Sequence, residues 1–130
     1  MKKHKQKNLS PRKKKIQEAR RLESFYRKQL DRAENLIWVI DRLLQYDGNP
    51  IFQKDGTIVL EHEDSIEYIE IPRRDCRYMT RESATKKELR ERKELLQRIK
   101  STAEAKLART IELRRDLQTK PKGELTAYLD

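Results

Sequence analysis

One cysteine, three glycines and four prolines in 130 residues leave this chain few means of bracing or bending itself. Cys76 has no partner for an intrachain disulfide, and a metal site built on several cysteines is excluded. A reducing interior is the natural compartment for such a chain. No apolar run approaches the roughly 18 residues that a bilayer-spanning helix requires. The segment Met1-Lys2-Lys3-His4-Lys5 is charged, but no apolar stretch follows it, so it does not read as a secretory signal. The expectation is a soluble, intracellular protein with no membrane partner. Catalytic signatures are scarce as well: there is no glycine-rich phosphate loop, no nucleophile elbow and no Cys–His pair at a motif spacing. The chain reads as non-enzymatic, without a cofactor.

Charge is what the sequence has in abundance, and it is sorted into blocks. Residues 1–49 hold 14 Lys/Arg against 6 Asp/Glu, residues 50–71 hold 1 against 6, and residues 72–130 hold 17 against 10. The outer blocks carry helical periodicity and the acidic centre carries strand alternation. A chain with 42% charged residues and regular apolar spacing suits long helices better than a thick globular core or disorder.

Residues 1–15 contain eight Lys/Arg, no acid and almost nothing to bury. They read as a disordered basic arm, because ordering them would go uncompensated. Ser10-Pro11 is a helix entry, with Ser as N-cap and Pro where its missing N–H costs nothing. Behind it Ile16, Ala19, Glu23, Tyr26, Leu30, Ala33, Ile37, Ile40 and Leu44 alternate in steps of three and four, a heptad seam whose only polar member is Glu23. Leu22, Phe25, Leu36, Val39 and Leu43 add a second stripe, densest after Leu36. The first half of this helix suits a two-helix seam, and the second half a thicker core. Asp47-Gly48-Asn49-Pro50 ends it, with Gly48 expected as a left-handed cap.

Three strands are expected next: one around Ile51-Phe52, one over Thr57–Glu61 after an Asp55-Gly56 hairpin turn, and one over Ile66–Ile71 after His62–Ser65. Thr85 with Glu88 fits a capping box. Leu89, Leu96, Ala103, Thr110 and Leu117, seven apart, then line a helix flanked by Leu95, Leu107 and Ile111. The fold class is mainly α with a small β element. It is expected as a long antiparallel, coiled-coil-like helical hairpin joined by a short antiparallel β-meander. Helices of roughly 31 and 34 residues would be rods of about 46 and 51 Å. The helix–meander–helix domain covers residues 16–118, and residues 119–130 form a short C-terminal tail.

The arm residues Lys2, Lys3, Lys5, Lys7, Arg12, Lys13, Lys14 and Lys15 are candidate phosphate contacts, since clustered cations bind polyanions by counterion release without sequence preference. Pro11-Arg12-Lys13-Lys14-Lys15 would also serve as a nuclear address in a eukaryotic cell. Arg20 and Arg21 extend the cluster onto the helix, followed by Arg27, Lys28 and Arg32. Arg73, Arg74, Arg77 and Arg81 form a second cluster around Tyr78, where arginine and an aromatic together can hold a phosphate and stack a base. The cations of the last helix alternate with acids, as in Glu88–Arg92 and Glu94–Arg98, the pattern of a solvated face. Glu61, His62, Glu63, Asp64, Glu67 and Glu70 lack calcium-loop spacing and a second histidine, so they read as a wet strand face and not as a metal site.

Two functions fit. One is a nucleic-acid-binding accessory or regulatory protein of DNA or RNA, indifferent to sequence. The other is a coiled-coil interaction or assembly protein that docks on a protein partner or on copies of itself. The order of helix, strands and helix between Ile16 and Leu117 resembles prefoldin-type chaperone subunits in topology alone. That resemblance implies assembly through the β region and client contact at the helix ends.

Overall fold

A computed structural model describes residues 10–71 and 85–119. It is mainly helical, with helix α1 (Pro11–Gln45), strands β1 (Ile51–Phe52), β2 (Thr57–Glu61) and β3 (Ile66–Glu70), and helix α2 (Lys86–Thr119). The strands form one antiparallel sheet in the order β1-β2-β3. Two compact units divide the chain. Among the described residues, the first holds α1 up to Asp31 and α2 from Ser101, and the second holds Arg32–Lys100.

Both helix starts follow from their capping residues. The Lys13 N–H donates to Ser10 Oγ at 3.2 Å, and the Glu88 N–H donates to Thr85 Oγ1 at 3.1 Å. Each cap satisfies one of the amides that a first turn leaves without a partner. Ser10 and Pro11 set this entry, as their chemistry predicts, and α1 runs from Pro11. Residues 1–9, 72–84 and 120–130, and the readings made on them, lie outside the described residues.

The first unit has little apolar bulk. Its buried positions are Ala19, Ala103, Leu107, Thr110 and Leu117 together with Glu23, which is 7% exposed. Glu23, the polar member of the seam, receives the Arg114 Nε–H on Oε2 at 2.6 Å. A carboxylate is tolerated at a seam position only when a partner replaces its lost hydration. The Glu23 carboxylate also raises the Arg114 guanidinium above its ordinary value. Leu22 and Phe25, of the second stripe, stay exposed here.

The second unit has the thicker core. Leu36, Val39, Ile40 and Leu43 of α1 meet Ile58 and Leu60 of β2, Ile69 and the adjoining Ile71, and Leu89 of α2. Each such burial contributes about 1.5–3 kcal/mol. Strand alternation selects the inner face: Ile58 pairs with Ile69 and with Phe52, and Leu60 with Glu67. Leu95 of the expected flanking stripe on α2 is left exposed.

The hairpin turn forms as its residues require. The Gly56 N–H donates to Gln53 O at 3.1 Å, Gln53 N–H to Thr57 O at 2.9 Å, and Gly56 has φ of 94°. A three-residue loop closed by a left-handed glycine is a standard hairpin solution. Asp55 Oδ1 accepts the Thr57 N–H at 2.9 Å, which holds the Asp55 carboxyl below its usual range.

Gly48 behaves differently from expectation. Gly56 is the positive-φ residue among those described, so Gly48 is no left-handed cap. Its lack of a side chain admits Tyr46 instead: a Cβ at Gly48 would sit 2.8 Å from the Tyr46 hydroxyl. That hydroxyl accepts the Glu61 N–H at 3.0 Å and donates to Glu61 O at 2.8 Å, so it is not free to move aside. The Lys86 ammonium reaches the Leu44 and Tyr46 carbonyls, each at 3.5 Å, and supplies positive charge at the end of α1. Gly48→Ala should therefore cost about 1–2 kcal/mol by displacing the tyrosine. Denaturant unfolding would measure it, with Asn49→Ala as a near-neutral control.

Candidate nucleic-acid interface

A step of seven residues nearly returns to the same side of a helix, about 20° short, and advances about 10.5 Å. Lys13, Arg20 and Arg27 therefore form one row along α1, and Lys14, Arg21 and Lys28 a neighbouring row about 100° further round. All six side chains are exposed. The seam residues are buried, Ala19 on the far side of the helix and Glu23 next to the first row. Gln17 and Ser24, both uncharged and exposed, fill the space between the rows. None of the six forms an ion pair with another described residue. The result is a plate of positive charge about 23 Å long.

Four of the expected phosphate contacts, Lys13, Lys14, Arg20 and Arg21, lie on this plate, and Arg27 and Lys28 complete it. Arg12 does not belong to it. Its position falls on the seam side, and its Nε–H donates to Leu117 O at 2.6 Å, in the last turn of α2. An arginine there satisfies a carbonyl that the helix end leaves open. Lys15 is half-buried beside the seam. Lys2, Lys3, Lys5, Lys7, Arg73, Arg74, Arg77, Tyr78 and Arg81 lie outside the described residues.

Several cations of α2 are engaged otherwise. Lys93 meets Asp41 at 2.6 Å and Lys100 meets Glu34 at 3.9 Å, both within the second unit. In the first unit Arg114 holds Glu23, and Lys106 stands 5.9 Å from the centre of the Tyr26 ring. Exposed acids, Glu104 and Glu112, alternate with Arg109 and Arg115 on the remaining surface.

The acidic strands hold a charge cluster in which sequence reasoning did not include Arg42. Arg42 grips Glu67 with two donors on one edge of the guanidinium, Nε–H to Oε2 at 3.0 Å and Nη2–H to Oε1. His62 Nε2 lies 3.0 Å from Glu67 Oε1 and donates, since an ionised carboxylate can only accept. An i, i+25 contact between a helix end and a strand leaves no local signature. Arg42, Tyr46, Gly48, Glu61 and His62 line an open cleft of about 400 Å³. Among the described residues no three His, Cys, Asp or Glu side chains gather as metal ligands, and no helix is long and apolar enough to cross a membrane. Comparisons with family models, with curated proteins and with solved structures return no match.

The Arg42 and His62 hydrogen bonds bring the Glu67 carboxyl from 4.5 to about 2. A carboxyl depressed on folding adds stability that is complete above its unfolded value and is lost as pH falls through the folded one. The advantage of the native chain over Glu67→Gln should be constant above the ordinary value of 4.5 and shrink between there and about 2. Unfolding curves recorded across that acid range would show it.

Proposed function

We propose that this protein is a non-enzymatic nucleic-acid-binding accessory or regulatory factor that works inside the cell and contacts phosphates without reading sequence. The observation that carries this reading is the plate formed by Lys13, Lys14, Arg20, Arg21, Arg27 and Lys28, exposed and without ion pairs among the described residues. Paired cations on a mixed surface contribute little to binding a polyanion, whereas unneutralised ones release counterions from it. The basic residues 2–7 and the Arg73–Arg81 segment with Tyr78 would extend the contact. The fold would present the plate on a long antiparallel helical hairpin. Pairings within each unit support that form, for they run in opposing order: Glu23 with Arg114 and Tyr26 with Lys106 in the first, Glu34 with Lys100 and Asp41 with Lys93 in the second.

A protein-docking role is the second reading. It is favoured by apolar side chains left in solvent, Leu22 and Phe25 in the first unit and Ile51, Ile66 and Tyr68 on the sheet. Absorbance of the purified protein before and after a high-salt wash separates the two: nucleic acid that leaves with salt supports the first.

Lys13→Ala, Lys14→Ala, Arg20→Ala and Arg21→Ala combined should weaken binding to unrelated oligonucleotides alike. The slope of log K against log salt should fall by about 3. Fluorescence anisotropy over a salt series measures it, and an unchanged slope removes the plate from the function.

A further inference from the structure

The sheet has a second face. Opposite the residues packed on the helices stand Ile51, Thr57, Val59, Glu61, Ile66, Tyr68 and Glu70, as the pairings Ile51–Val59–Tyr68, Glu61–Ile66 and Thr57–Glu70 require. Val59 at the centre is 7% exposed, while Tyr68 beside it is 63% exposed and Ile51 and Ile66 are about half exposed. The two ends of this apolar strip carry the exposed carboxylates Glu61 and Glu70. Four residue steps of strand separate them, about 13 Å.

The α1 plate carries the inverse pattern. Phe25, 57% exposed, lies between Arg21 and Lys28 on the helix surface, with Leu22 next to it. Arg21 and Lys28 are about 10 Å apart along the axis. An aromatic flanked by two cations thus matches, in order and spacing, an apolar strip flanked by two carboxylates. The long arginine and lysine side chains take up the difference of a few ångströms.

From this complementarity we propose that the outer sheet face of one molecule binds the Arg21–Phe25–Lys28 surface of a second copy. Tyr68 and Ile66 pack on Phe25 and Leu22, and Glu61 and Glu70 pair with the two cations. Two different patches meet, so the contact is heterologous and propagates head to tail unless a ring closes. Its strength follows from its size. Three strands of up to five residues present roughly 17 by 14 Å, far below the about 800 Å² per partner of a standard interface. The association is therefore weak, dependent on concentration and loosened by salt. This inference does not rest on nucleic-acid binding, and its test uses protein alone.

The test is sedimentation of the full chain, stripped of nucleic acid, over a concentration series in dilute and concentrated salt. The native chain should associate in dilute salt and dissociate in concentrated salt. The double variant Glu61→Lys, Glu70→Lys and the double variant Arg21→Glu, Lys28→Glu should each stay monomeric where the native chain associates, and an equimolar mixture of the two should associate again. A native chain that remains monomeric throughout, variants that still associate, or a mixture that stays monomeric would each overturn the proposal. Zero-length carbodiimide crosslinking of a mixture of light and isotope-labelled native chain gives a check that no substitution can disturb. Mixed-isotope links from Lys28 to Glu61 or Glu70 support the contact, and links confined to single molecules refute it.

Discussion

A helix has one side to bury, and in α1 the seam residues decide which side that is. Ala19, Ala33 and Ile40 are almost fully enclosed, and Glu23 joins them only because Arg114 replaces the water it loses. Once those positions face inward, the rows that begin at Lys13 and Lys14 can only face outward. Burying an unpaired ammonium costs far more than burying an alanine gains. The cationic plate is the geometric complement of the seam, and a change in the register of the seam would dissolve it.

The second unit obeys the same rule with a sheet in place of a second stripe. Its inner residues continue the apolar surface that Leu36, Val39 and Leu43 open on α1. Polar groups stranded where helix meets strand are then met one by one. Lys86 answers the last carbonyls of α1, the Tyr46 hydroxyl answers both backbone groups of Glu61, and Arg42 answers Glu67. These bonds are specific more than strong, since most lie near solvent. Two of them tie the meander to the end of α1.

Charge of opposite sign consequently occupies different elements. The first unit bears an exposed basic plate, and the second an acidic sheet with an apolar centre. Surfaces of this kind act through the sum of their charges and are governed by ionic strength. On the two proposals above, a phosphate backbone and a carboxylate-rimmed sheet would draw on the same cations of the plate.

Local features were legible in the residues. Ser10-Pro11, Thr85 and Asp55-Gly56 each act on neighbours within a few positions, and each does in the structure what its chemistry requires. The seven-residue recurrence of Lys13, Arg20 and Arg27 was equally present in the sequence. What did not show there were contacts between distant positions. Gly48 looked like a helix cap because the Tyr46 ring that needs its empty space is held by Glu61, fifteen residues further along. The bond from Arg12 to Leu117 was equally hidden, since the two lie 105 positions apart. By itself the sequence determined the elements, the seam that each helix would turn inward and the segregation of charge, since elements and seam follow from periods of two and 3.6 residues. Only the tertiary structure decided which cations remain exposed and which are consumed by carbonyls and carboxylates. Such pairing depends on distance in space, and no period along the chain encodes it.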